Sequence, residues 1–401
     1  MINQRVSLRV IMIKVLDSTL REGEQTPGVY FEPKVKLAIA QLLDQIGVDI
    51  IEAGNPAVDP EIATSVKQIA QLGLSATIGA HSLCRLDHVQ QSLDCGVGFL
   101  GVFLSVSKQR LQQDYGIGLG KAIDSITAAI TYARSQKPNL LIRYTPEDTV
   151  RSPIGYVIEA ATAAVQAGAN IISIADTTGY ATPFQTNRSL AWHVRTIRDG
   201  LAEVGLYPQI EVHCHNDRGL ALANALDACS AGVNIVDTCV LGIGERAGIV
   251  DLAQLLINLQ DSFGMVNHWD LSHLGTLYQL VSHHSYIGIA PNFPIVGGNA
   301  FTHYAGVHVK AVVKDEALYQ SLDPNLVGSQ SMMALGLQSG RSAVELALKQ
   351  IGKSELIADQ ALVTQALHKV KTMAKRGRPI EIEAEFAAIV EGCLRERLSQ
   401  H

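Results

Sequence analysis

Short apolar runs alternate with amphipathic stretches along the first two-thirds of the chain, the pattern of repeated β-α units. The apolar runs predict eight strands, at 11–16, 50–53, 75–80, 99–104, 139–144, 171–175, 210–214 and 235–238. Helical segments such as 33–46 (PKVKLAIAQLLDQI) and 154–167 fall between them. Gly47, Gly73, Gly96, Gly168 and Gly232 recur after a helix and shortly before a strand, where a left-handed residue ends the helix. Eight evenly spaced units predict an α/β fold closed as a (β/α)8 barrel; a doubly wound open sheet would not usually need so many. After residue 270 the pattern changes to an irregular Pro/Gly-containing run and three helical segments, 341–351, 357–374 and 382–397. The expected organisation is therefore a barrel over 1–270 and a mostly helical accessory region over 271–401.

Composition narrows the function classes. A hydrophobic fraction of 47% with 17% charged residues excludes a disordered chain. The 32 Lys and Arg against 38 Asp and Glu leave a net charge of -6, with one dense basic run at 369–378, which argues against a nucleic-acid partner. No stretch approaches the length of a membrane span, and the apolar N-terminal run is broken by Lys14, unlike a signal peptide. Six cysteines without a CxxC pair fit a reducing compartment. The expectation is a cytoplasmic protein with no membrane partner.

Polar residues collect where the predicted strands end, and a barrel brings all strand ends to one face. His213 and His215 are i and i+2 on a strand, so both imidazoles point to one side and can share an ion. The alternative is a pair of polar barrel-lining residues. A carboxylate from the first strand's end, Asp17 or Glu22, would complete a set suited to Zn, Mn, Fe or Co, and to Mg less well. Asn216 and Asp217 could orient the histidines. Arg21 beside Glu22 could neutralise a developing oxyanion, or both could be ordinary surface charges after an Asp cap. Arg143 and Thr145 share a strand face. An arginine in a barrel mouth needs an anion, either Glu147 or another acid, or a substrate carboxylate. The glycine-rich run 242–248 (GIGERAG) is a weak phosphate-loop candidate. His303 and His308, outside the barrel and with Tyr319 beyond, are candidates for a general base or are ordinary satisfied histidines.

The runs LDSTLREGEQTPG (16–28), IRYTPEDTVRS (142–152), IADTTG (174–179), HCHND (213–217), LGIGERAG (241–248) and THYAGVHVKAV (302–312) resemble the homocitrate synthase and isopropylmalate synthase family. The resemblance implies a metal-bearing (β/α)8 barrel that joins acetyl-CoA to a 2-oxo acid. It implies Glu22, His213 and His215 as ligands of a divalent metal (Zn, Mn, Co or Mg), and Arg21 on the oxo and carboxylate oxygens. His81 and Thr177 would line the oxo-acid site. It also implies a homodimer in which His308 and Tyr319 act on the partner's site, His308 deprotonating the acetyl methyl. Glu147 is grouped with the catalytic residues. Arg21-Glu22, the GIG run and Arg143 with Thr145 resemble the homocitrate branches, which implies 2-oxoglutarate as acceptor. Gly101 stands where lysine-pathway members carry an aspartate, which would enlarge the pocket and remove a charge. That keeps an aromatic or branched 2-oxo acid as the alternative acceptor (a 2-benzylmalate or 2-isopropylmalate type synthase). A metal-dependent carbon–carbon lyase is the alternative of another class.

Overall fold

The computed structural model describes residues 12–265, 268–304, 315, 318–377 and 379–399. The chain divides into two compact units, 1–289 and 290–401. In the first, eight parallel strands close into a barrel in sequence order: β1 (Lys14–Asp17), β2 (Ile50–Glu52), β3 (Thr77–Leu83), β4 (Phe99–Phe103), β5 (Leu141–Thr145), β6 (Ile171–Asp176), β7 (Gln209–Cys214) and β8 (Ile235–Thr238). β8 pairs with β1 to complete the ring. All eight strands fall where the apolar runs predict them. β3 starts two residues late and runs on to Leu83, so His81 lies within a strand and not just beyond one.

Helices follow each strand: α1 (Pro33–Ile46), α2 (Pro60–Ala70), α3 (Leu86–Asp94), α4 (Leu119–Gln136), α5 (Ile154–Ala167), α6 (Leu190–Ala202), α7 (Ala221–Ser230) and α8 (Leu252–Phe263), with α9 (Leu274–Ser285) closing the unit. Local chemistry sets their ends. Pro33 opens α1, and Gly47 ends it at φ 95°, a conformation costly for any residue with a Cβ. Asp59, Ser189 and Asp251 cap α2, α6 and α8 by accepting from the N–H groups of Glu61, Trp192 and Gln254. With helices outside and side chains inside, strands such as β6 are buried at every position, hence their almost unbroken apolar sequence.

The strand alternation builds the interior in layers. At the lower level Leu16, Ile50, Phe99, Ile171 and Ile235 pack into one apolar cluster with Leu141 against it. Two residues further along the same strands stand Glu52, Gly101, Arg143, Ser173 and Asp237, on the same face by the period of two. The site is the upper part of a plugged barrel.

In the second unit, helices at Arg341–Gln350, Gln360–Ala374 and Ala387–Leu398 enclose Val344, Leu348, Leu362, Val363, Val370, Phe386 and Val390. Thr302–His303 and Met332–Met333 pair as two short parallel strands. No helix among the described residues is long and apolar enough to cross a membrane.

Candidate active site

Glu22, His213 and His215 offer ligand atoms that all lie within 4.8 Å of one another, a group able to hold a metal ion. His213 and His215 face each other through Nε2, 3.1 Å apart, and His215 Nε2 is 3.9 Å from Glu22 Oε1. The far nitrogen of His213, Nδ1, meets Asp237 Oδ2 at 2.6 Å, and Asp237 also accepts from the Ser18 hydroxyl. A carboxylate on the far nitrogen is how metal-binding histidines are usually aimed. Asp237 is therefore placed to orient His213. Asn216 and Asp217, the neighbours in sequence, do other work: Asn216 accepts from the Ala221 N–H at the start of α7, and Asp217 pairs with Arg246. Asp17 is also outside the group. It is fully buried, bound to the Thr19 N–H and the Thr238 hydroxyl, and burial pushes it up to about 7.

Glu22 is seated by the glycine-rich loop after β8. A Cβ at Gly244 would lie 2.8 Å from Glu22 Oε1, and the adjacent Glu245 N–H donates to the same oxygen. Burial works against an ionised Glu22, but Arg21, His213 and His215 outweigh it and bring it down to about 2. Burial, helped by His213, lowers His215 to about 4. Burial opposes a charged His213, but Asp237 and Glu22 outweigh it and push this imidazole up, so a cation bound there would displace its proton. Arg21 pairs with Glu22 and Glu52 and lies 3.6 Å from Asp237. Arg143, 2% exposed, pairs with Glu52 at 2.7 Å and Glu211 at 2.9 Å. Four carboxylates thus face two guanidiniums, and burial pushes one of them, Glu211, up to about 7 against the pull of Arg143.

These side chains share one cavity of about 280 Å³, lined by Arg21, Glu22, His81, Arg143, Thr145, Glu147, Thr177, His213 and His215 among others. Residues spread over almost 200 positions of sequence meet there. Their pairings differ in part from what the sequence offered. Arg143 does not pair with Glu147, which is held by Arg110 at 2.8 Å. Glu211, whose backbone lies 68 residues away on β7, takes that place, with Ser173 donating to its Oε1. His81 lies 3.2 Å from Glu52 and 3.0 Å from Arg143, and stacks on Phe103. Burial, with Arg21 and Arg143 nearby, lowers it to about 4 against the pull of Glu52. The Thr177 hydroxyl accepts from the Asp148 N–H, and the buried Thr145 hydroxyl has no hydrogen-bond partner. Gly101 lies directly against the guanidinium: a Cβ there would sit 2.4 Å from an Arg143 Nη and 3.0 Å from Glu52 Oε1.

Tyr319 belongs to the second unit and is about half exposed, and His303 there meets Gln320. His308 lies outside the described residues. Glu211, Asp237 and Ser173 were not singled out in the sequence. The signal that finds them is parity: each sits two residues above an apolar inward position of its strand, or two below His213.

A family model described as HMGL-like matches residues 12–281, and one described as homocitrate synthase post-HMGL domain-like matches 295–378. A homocitrate synthase of Pyrococcus abyssi is 40% identical over 89% of this chain and 94% of its own. A 2-isopropylmalate synthase of Methanocaldococcus jannaschii is 33% identical over 94% of this chain and 71% of its own. Among solved structures, a hydroxymethylglutaryl-CoA lyase of Pseudomonas aeruginosa superposes with a TM-score of 0.59 at 20% identity, over 76% of this chain and 98% of that one, a likeness of fold. The chain belongs to the homocitrate synthase and isopropylmalate synthase family, the metal-dependent, HMGL-like enzymes that condense acetyl-CoA with a 2-oxo acid.

Proposed function

We propose that the acceptor is 2-oxoglutarate and the product homocitrate, formed in a homodimer with shared active sites. The observation that carries the acceptor is the grouping of Arg143, Thr145 and His81 in the same cavity as the N2O ligand group. A guanidinium flanked by an unpartnered hydroxyl can receive a distal carboxylate. Relatives named homocitrate synthase support the same acceptor. A divalent cation on Glu22, His213 and His215 would supply Lewis-acid polarisation of the oxo group. Arg21 holds the acceptor's oxo and carboxylate oxygens and steadies charge developing on the former ketone, Thr177 holds the carboxylate, and His81 and Glu147 shape the wall.

One observation favours a second acceptor class. Both Nη groups of Arg143 are already engaged by Glu52 and Glu211. A distal carboxylate must displace one of these acids to reach the guanidinium, which an uncharged side chain need not do. A 2-oxo acid with an uncharged branched or aromatic side chain is the second reading.

The proton acceptor for the acetyl methyl is assigned to His308, assisted by Tyr319, from the other subunit of the dimer. What supports this is the state of the histidines that line the cavity: His213 and His215 are in the ligand group and His81 is held between Glu52 and Arg143. Six free thiols support a reducing, cytoplasmic setting. The test is a set of kcat/KM values for 2-oxoglutarate, oxaloacetate, pyruvate, 2-oxoisovalerate and phenylpyruvate, following free CoA thiol at fixed acetyl-CoA and metal. A preference for 2-oxoisovalerate or phenylpyruvate transfers the assignment to the second class. Mixing inactive Glu22→Gln and His308→Ala dimers should restore part of the activity; none after verified subunit exchange counts against shared sites.

A further inference from the structure

The cavity accounts for a 2-oxo acid, but the acyl donor also carries a pyrophosphate and a 3′-phosphate at the far end of its pantetheine arm. These groups need cations on the rim. The glycine-rich loop after β8 is not free to serve them, since its Gly244 and the Glu245 N–H seat Glu22. The loops after β6 and β7 lie on the same face of the barrel as the cavity, and they hold an unusual pair of arginines.

Arg188 and Arg218 both lie against the ring of Tyr180, with guanidinium carbons 3.9 and 5.0 Å from its centroid. The two cations are therefore no further apart than the sum of those distances. Arg188 donates to the Tyr180 carbonyl at 2.8 Å and the Thr182 hydroxyl at 3.1 Å, and its Nε has no partner. Arg218 reaches the carbonyls of Gly179 and Tyr180 at 3.4 and 3.2 Å. Among the described residues, no carboxylate lies within ion-pair distance of either guanidinium. Arg246, the third arginine of this rim, is matched by Asp217.

Two like charges gathered on one aromatic ring repel each other, and an anion bridging them reverses the sign of that energy. Arginine forks match phosphate oxygens in geometry as well as charge. The position is also right: Tyr180 follows the cavity-lining Thr177 by three residues, and the Thr177 carbonyl accepts from Arg246. We propose that Arg188 and Arg218, gathered on Tyr180, clamp the phosphate groups of the CoA moiety. This rests on acetyl-CoA being the acyl donor.

The test compares acetyl-CoA with acetyl-pantetheine, the same thioester without phosphates. Arg218→Ala and Arg188→Gln should each lower the kcat/KM preference for acetyl-CoA over acetyl-pantetheine by about ten-fold. Arg218→Glu should lower it further, and Arg218→Lys should keep most of it. Calorimetry gives a readout without turnover: CoA binding should weaken about ten-fold in the Ala and Gln variants and lose part of its salt dependence, while pantetheine binding stays as in the wild type. Wild-type protein that turns over neither thioester overturns the condensing reaction itself. Turnover with an unchanged preference in the variants overturns the clamp alone. Equal losses for CoA and pantetheine also overturn it, since they mean that the arginines only shape the loop.

Discussion

Two levels of the same barrel, two residues apart along each strand, are built on opposite principles. The lower level is Leu16, Ile50, Phe99, Ile171 and Ile235, close-packed and free of polar atoms beyond the backbone. The upper level holds Glu52, Arg143, Glu211 and Asp237, each buried, with Arg21 at its edge. Burying so many ions is costly, and ion pairs in place of apolar residues rarely repay that cost in stability. The lower level holds the barrel shut, and the upper level spends part of that stability to prepare a site. Between them Arg143 stands 5.3 Å above the Phe99 ring, one cation resting on the plug by its quadrupole.

The largest effect expected from disturbing the upper level comes at the ligand group. Replacing His213 by Ala, or Glu22 by Gln, should remove bound metal and lower turnover by at least about a thousand-fold, several kcal/mol of transition-state stabilisation. Metal analysis on the purified variants, alongside the thiol assay, checks it. A variant that keeps turnover without metal removes the Lewis-acid role. The lower level should respond in the other currency. Phe99→Ala should cost about 3–5 kcal/mol of folding stability, read by denaturant unfolding of the barrel, by opening a cavity beneath Arg143. If it lowers turnover with little change in stability, the plug and the site are not the separate layers described above.

Much of this division is visible in the sequence, and the part that is not has a physical reason. The strands, the face they open on, and the pair His213 and His215 follow from local period alone. Glu22 needed the ring to be closed, because β1 and β7 both border β8. The partners of Arg143 were out of reach: Glu52 and Glu211 are 91 and 68 residues away, and register across three strands decides which acid meets it. Glu147, four residues along, is one of the anions the sequence leaves open for Arg143, but the chain turns after Thr145 and delivers it to Arg110. The aiming of His213 shows the same limit. Asp217 is nearby in sequence, while Asp237 is nearby in space, on the adjacent strand.

Asp237 therefore offers a smaller, sharper test of the upper level. Asp237→Asn keeps the size of the group and removes its charge. Metal affinity should fall by about 10- to 100-fold, measured by chelator competition, with metal restored at high concentration. An unchanged affinity would mean that Asp237 serves the buried charge balance and not the aim of His213.

The finest probe is Gly101, beside Arg143 in the upper level. Its backbone is ordinary β-strand, so Ala is conformationally free there, and the question is one of space. The added methyl would lie 2.4 Å from an Arg143 Nη, at the far end of a long side chain, and 3.0 Å from Glu52 Oε1. The guanidinium is the part able to yield. It cannot move down, because the Phe99 ring lies beneath it. Gly101→Ala should therefore lift it off Glu52 and out of line with Thr145 and His81, at small cost in stability. If Arg143 receives the distal carboxylate of 2-oxoglutarate in the wild type, the ratio of kcat/KM for 2-oxoglutarate over 2-oxoisovalerate should fall about ten-fold, the size of one misaligned charged hydrogen bond. A rise in that ratio has the opposite meaning. It would show that Glu52 and Glu211 withdraw the cation in the wild type, that freeing it creates a carboxylate site, and that the native acceptor is an uncharged 2-oxo acid.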